Sequence, residues 1–446
     1  MAQLTALGRA LEPVEALATT LGAFALILLL TRLKVPLVAA VLVGAAFEGL
    51  LLASGAPADR GVAITRAAAS GAVHPQTLGL AAVTVLLLAL SGTMQRGGQM
   101  ERIVAAARAL LRRPSLTMAA LPALIGLLPM PGGALFSAPM VESAAGGQGR
   151  SRAKLSAVNY WFRHIWEHWW PLYPGVLVAM TYVPSYAIFV AYQFPLGVFM
   201  VTAGLLLFRK TGTDLHAARP AQHGAARRLL AAAAPVWIIL AVCVPAMLAA
   251  HWGKLDQLGP IGEAADKFAP IALGVAVSVG WTMHRNRLGL REVRSVWLSR
   301  RLIEMVLLVV AVMVFRQVLS AVDAGNRIAA ELTGLRVPLV VVAAALPFIA
   351  GLVTGLAIGF VGTSFPIVLP MVAAAEGAAA LPAWVALAYA FGHLGQMTSP
   401  LHVCHVMSNR YFRASFASVY RQIIPSMLVT AALAGGYFAV LRALGL

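Results

Sequence analysis

Residues 125–174 read IGLLPMPGGALFSAPMVESAAGGQGRSRAKLSAVNYWFRHIWEHWWPLYP. The run Pro129-Met130-Pro131-Gly132-Gly133 interrupts one apolar segment, and charged, imidazole and indole side chains interrupt the next. A hydrocarbon layer tolerates such backbone and such side chains only where protein or a water-filled cavity covers them. The pattern returns near the C-terminus. Tyr160, Phe162, His164, Pro171 and Leu172 recur as Tyr389, Phe391, His393, Pro400 and Leu401, each 229 residues on. Pro139-Met140-Val141 likewise recurs as Pro370-Met371-Val372, and Pro114 as Pro338. Anchors in one order with nearly constant offsets read as an internal repeat.

Composition bounds the class. Of 446 residues, 60% are hydrophobic and 11% charged, and mean hydropathy is +0.82. These values describe an integral membrane protein. The formal charge of +18 fits cationic loops that fix topology against anionic headgroups better than it fits a nucleic-acid binder. Cys243 and Cys404 sit in or beside apolar segments, so no disulfide framework is indicated. The first apolar run, Leu17 to Leu30, has Glu12 and Glu15 before it and no cleavage-like site after it, so it reads as a retained span.

In chain order, apolar spans are expected near 15–31, 35–54, 76–94, 153–182, 186–208, 229–250, 268–284, 302–320, 381–408 and 422–443. The Gly/Pro-interrupted segments 116–147 and 338–377 read as re-entrant hairpins, with Pro129–Gly133 and Gly359–Ser364 at their tips. If the N-terminus lies outside, 24 of the 34 Lys and Arg residues fall in the inside loops, as the positive-inside rule requires. The fold expected is therefore all-α and polytopic, with about ten transmembrane helices and two re-entrant hairpins in two inverted-topology repeats. The first repeat covers 1–208, a cytoplasmic linker covers 209–228, and the second repeat covers 229–446. Both termini lie outside, in the plasma membrane. Met100, Ile103, Val104, Ala107, Leu110 and Leu111 keep helical spacing, as do Ile328, Leu332 and Leu335. Each set predicts an interfacial amphipathic helix that ties a hairpin to the span before it.

PMPGGALFSAPMVE (Pro129–Glu142), FGHLGQMTSPLHVCHVMSNRYF (Phe391–Phe412) and the opposed halves resemble the ion transporter superfamily, and most of all its gluconate-permease-like branch. That resemblance implies a cation-coupled secondary transporter of a small organic anion, a carboxylate or sugar acid such as gluconate, with elevator-type motion and a homodimer interface. Sodium-coupled dicarboxylate members carry Ser-Asn-Thr signatures at the hairpin tips, which this chain lacks.

The residues support an anion site independently of the resemblance. Hairpin tips and broken spans expose helix N-termini, whose free N–H groups favour anions. Gly132 and Gly133 let backbone approach a ligand, Pro131 and Gly362 lie at the same expected tips, and Ser137, Thr363, Ser364, Thr398 and Ser399 supply hydroxyls. Asn159, Arg163, His164, His168, His393 and Gln396 complete the expected substrate-binding set. Pro171 and Pro400 are the expected helix breaks. Glu167, His164 and His168 are the candidates for a coupling ion, H+ or Na+, because a buried imidazole or carboxylate can carry a proton.

Two plainer readings compete. Arg163 and Glu167 are four apart, so on a helix they would form a self-neutralising structural pair. The four tryptophans, Trp161, Trp166, Trp169 and Trp170, either mark an interface belt or wall a sugar-like substrate. A different class is also carried. His164-Ile-Trp-Glu167-His168 matches the H-x-x-E-H inverted zinc-peptidase motif, so a membrane zinc metalloenzyme, with His402 and His405 as further ligands, is the alternative. The leading expectation is no enzyme activity, no metal, no cofactor beyond a coupling ion and no nucleic-acid partner.

Overall fold

The computed structural model describes residues 15–111, 113–127, 133–146, 151–208, 223–289, 291, 294 and 299–446, without the side chains of His251 and Arg301. Pro131, Gly132 and most of the 209–228 linker lie outside the described residues. Among those described, the regular elements are all helical. Among the described residues seven helices are long and apolar enough to cross a membrane, eight if the bent pair at 225–250 is one span, fewer than the ten spans expected; the protein is a helical, multi-pass membrane protein.

The first half holds α1 (Glu15–Arg32), α2 (Leu37–Leu52), α3 (Pro57–Val73), α4 (Pro75–Arg96), α5 (Gln99–Leu110), α6 (Pro114–Gly126), α7 (Gly133–Ala145), α8 (Arg152–Arg163), α9 (Pro174–Ala179) and α10 (Tyr186–Gly204). The second holds α11 (Ala225–Ala232), α12 (Ala234–Trp252), α13 (Gly259–Asn286), α14 (Arg300–Ala321), α15 (Ala324–Gly334), α16 (Leu339–Thr354), α17 (Ala357–Glu376), α18 (Leu381–Thr398), α19 (Val403–Phe412) and α20 (Phe416–Ala443). Helix starts follow local chemistry. Ser151, Ser185, Ser299 and Ser415 accept hydrogen bonds from the first-turn N–H groups of α8, α10, α14 and α20. Pro57, Pro75, Pro114 and Pro174 open α3, α4, α6 and α9, where a missing N–H costs nothing.

Contacts between helices rest on small residues, as they must where lipid gives no hydrophobic drive. α4 packs on α13, where Gly79 lies under the Phe268 ring, and α14 packs on α2 and α3 at Gly49 and Gly71. Backbone approaches backbone closely between α16 and α18. A Cβ on Gly395 would stand 2.0 Å from the Phe348 carbonyl, and one on Gly351 2.2 Å from that of Gly392. α7 packs on α19, and α9 packs on α17.

Several expectations change in the structure. Helix α3 falls where no element was read. Asp59, Arg60 and Arg66 keep the segment polar, and it buries only Ala67 and Gly71. The span expected at 153–182 is two helices separated by residues 164–173. The second interrupted segment turns at Gly355-Leu356, not at 359–364. Gly355 takes the left-handed φ of +64° that the turn requires, so Gly362, Thr363 and Ser364 lie inside α17. The second-half span bends by 60° at the α11–α12 junction. Both amphipathic helices form. α5 buries Met100, Ile103, Val104 and Ala107. α15 buries Ile328 and Leu332, but Leu335 lies beyond its end and is exposed. Pro122, Pro139, Pro347, Pro366 and Pro370 sit within helices without ending them. The two cysteines are free and buried.

Candidate functional site

The site forms where the two interrupted spans meet. Helix α8 ends at Arg163, and the chain runs through turns to Pro174. Proline at 171 cannot bond to the carbonyl of Glu167 four residues back. That carbonyl accepts instead from the Tyr389 hydroxyl of α18 at 2.7 Å. Tyr160, which matches Tyr389 at the 229-residue offset, donates in turn to the Met397 carbonyl at 3.0 Å. Each span thus satisfies backbone freed near the other's break.

The side chains between them are buried and polar. Gln396 Nε2 donates to Glu167 Oε2 at 2.8 Å. His393 Nε2 stands 3.7 Å from the same oxygen, and His164 Nε2 stands 3.8 Å from Glu167 Oε1. His168 packs on His393 with ring centroids 4.3 Å apart. His164 Nδ1 lies 2.6 Å from the Tyr160 carbonyl, and its Nε2 lies 3.0 Å from His402 Nε2. Placing ionisable groups this deep is costly, so apolar packing alone does not account for them.

Arg163 is 3% exposed. Its Nε donates to Cys404 Sγ at 3.4 Å, and its guanidinium covers Gly133, the first residue of α7. The guanidinium therefore lies between the N-terminal turns of α7 and α19. Behind it, Asn159 Nδ2 donates to the Ala134 carbonyl at 3.0 Å and to Ser408 Oγ at 3.1 Å. Ser156 Oγ donates to Asn409 Oδ1 at 2.6 Å, tying α8 to α19.

Of the predicted site residues, Asn159, Arg163, His164, Glu167, His168, His393 and Gln396 come together here. Four of the five hydroxyls donate to carbonyls within their own helices. Ser137 donates within α7, Thr363 to the Gly359 carbonyl and Ser364 to the Phe360 carbonyl. Thr398 donates to the Leu394 carbonyl, and Ser399 caps the turn by accepting from the N–H of Leu401. Gly362 backs onto Val312 of α14. The indoles serve packing: Trp161 donates to the Met200 carbonyl, Trp166 to Ala123 and Trp170 to Leu127. These three bonds pin α8 and the break after it to α10 and to the end of α6.

The inverted zinc-peptidase motif needs both histidines on one helix face. Residues 164–168 lie outside helix, and His168 turns to His393 while His164 turns to His402. The described residues instead gather His164, His402 and Cys404, whose ligand atoms all lie within 4.8 Å of one another. His405 stacks on Tyr160 at 4.4 Å and is not one of the three. Sequence reading passed over Tyr160, Tyr389 and Cys404 as site residues. The repeat anchors and the H402-x-C404 spacing were the available signals.

No curated protein matches the chain. A family model described as "Protein of unknown function (DUF401)" matches residues 10–252 and 266–441, and the chain belongs to that family.

Proposed function

We propose that the protein is a cation-coupled secondary transporter of a small organic anion, a carboxylate or sugar acid of the gluconate kind. One observation carries the reading. Glu167 and Gln396 are 229 residues apart (396 − 167), the repeat offset, and they hydrogen-bond each other. Residues equivalent under a two-fold relation touch only at its axis. We read this contact as the interrupted spans crossing at the centre of an inverted repeat, where transporters of this build hold their substrates. The packing supports the same relation: α7 on α19 has its counterpart in α17 on α9.

In this reading the pairs α6–α7 and α16–α17 are re-entrant hairpins that reach the centre from opposite sides. The N-terminal turns of α7 and α19 and the Arg163 guanidinium attract the anion. Glu167, with His164 and His393 at its two oxygens, carries the coupling proton or sodium. Helices α1–α4 and α11–α14 form a scaffold at a homodimer interface, and the core moves past it in elevator fashion. The protein sits in the plasma membrane with both termini outside.

Two measurements test this. Single cysteines at Ala217 and Ala379, in a chain lacking Cys243 and Cys404, label from opposite faces of sealed vesicles. Labelling from one face would remove the inverted repeat. The transport reading itself is tested by gradient-driven uptake of a labelled carboxylate into proteoliposomes.

A further inference from the structure

We infer that His164, His402 and Cys404 form a binding site for a borderline-soft divalent metal ion of the zinc class. The inference rests on ligand geometry and stands whether or not the protein carries an anion.

The tautomer of His164 is fixed by its neighbour. The Tyr160 carbonyl can only accept, and it lies 2.6 Å from Nδ1, so Nδ1 carries the proton. In the neutral ring Nε2 is then a lone pair. A backbone carbonyl holding the far nitrogen is the usual way a metal-binding imidazole is oriented. That lone pair faces His402 Nε2 at 3.0 Å. A tetrahedral zinc with bonds of about 2.0–2.1 Å to nitrogen and 2.3 Å to sulfur spaces its ligands about 3.3–3.6 Å apart. The two nitrogens are already near that edge. Cys404 Sγ completes the set, with no separation above 4.8 Å, and a side-chain rotation closes the difference.

The surroundings also match. His164 is 1% exposed, His402 5% and Cys404 7%, so bulk water does not compete for the ion. Arg163 Nε donates to the sulfur, which stabilises thiolate. Glu167 Oε1, 3.8 Å from His164 Nε2, offsets the guanidinium charge. Two imidazoles and one thiolate are the donor set that zinc accepts, and they leave its fourth position open. On binding, the proton that His402 Nε2 donates to His164 shifts to His402 Nδ1, sulfur–metal and nitrogen–metal bonds form, and the thiol proton leaves to solvent. The ligands come from both interrupted spans, so the ion would staple the two breaks together.

The test uses the full chain, purified under reducing conditions in chelator-washed detergent and titrated with zinc. The expected result is one zinc retained per chain after desalting, with a rise in melting temperature. Cobalt in place of zinc should give a thiolate charge-transfer band in the near ultraviolet. Cys404→Ser and His402→Gln should each weaken zinc binding by about 100-fold or more, remove the zinc-dependent stabilisation, and melt like the wild type without metal. Cys243→Ser should change nothing. Retention well below one zinc per chain by the folded wild type overturns the inference. So does a Cys404→Ser protein that binds zinc as tightly as the wild type. Anion affinity, measured with and without zinc, reports separately on the transport reading.

Discussion

Under the proposed function, Arg163→Lys folds and inserts normally but binds the proposed anion substrate about 30-fold more weakly, a loss of about 2 kcal/mol for a broken charged hydrogen bond. The expectation follows from asymmetry. The repeat partner of Arg163 is Gly392, and the Phe360 ring fills the space where a side chain there would begin. The scaffold therefore does not require the guanidinium, and only one half supplies it. Arginine presents a planar donor fork that matches a carboxylate, and lysine offers a point charge on a flexible stem. If Arg163 served only to neutralise Glu167, Arg163→Ala alone would be unstable. Arg163→Ala/Glu167→Ala would then restore folding and transport together. Folded yield and uptake across these variants separate the two roles, and normal transport by the double variant removes Arg163 from the site.

The second large effect is on stability. Gly126 ends α6 directly against the break, and a Cβ there would stand 2.1 Å from the Arg163 carbonyl. The obstacle is backbone, so no side chain can swing away. Gly126 also takes the Tyr173 hydroxyl on its own carbonyl, so a shift of α6 loses that bond as well. Gly126→Ala should cost about 3 kcal/mol, the upper end for overpacking, or prevent folding. Gly435→Ala is the matched control, because nothing lies within 4 Å of its Cβ position. Removing glycine from an unobstructed helix interior favours folding by about 0.5–1 kcal/mol. Melting temperatures in detergent read both. A Gly126→Ala protein as stable as the wild type would contradict the packing described.

Much of this was legible in the chain, for identifiable reasons. Apolar runs located most of the long helices, because lipid imposes a length rule on the segments that cross it. The Tyr160/Tyr389 and Pro171/Pro400 matches located the place where the two interrupted spans meet. What escaped depended on contacts. The break begins at His164, well before Pro171, because residues of the other span take up the backbone it exposes. The turn at Gly355 was hidden by a second glycine-rich run at 359–362 that stays helical. Cys404 looked inert until His164, 240 residues earlier (404 − 164), was brought beside it. Hydroxyls read as ligand donors were claimed by their own helices, as serine and threonine within membrane helices commonly are.

The central claim is most directly tested in proteoliposomes of the purified chain. Labelled gluconate and a panel of other small carboxylates are offered under an imposed proton gradient, an imposed sodium gradient, or neither. The account predicts accumulation of at least one carboxylate above its equilibrium level under one of the two gradients. It also predicts collapse of that accumulation when the gradient is dissipated, and its loss in Arg163→Ala. Folded, correctly inserted protein that accumulates no carboxylate under either gradient would contradict it.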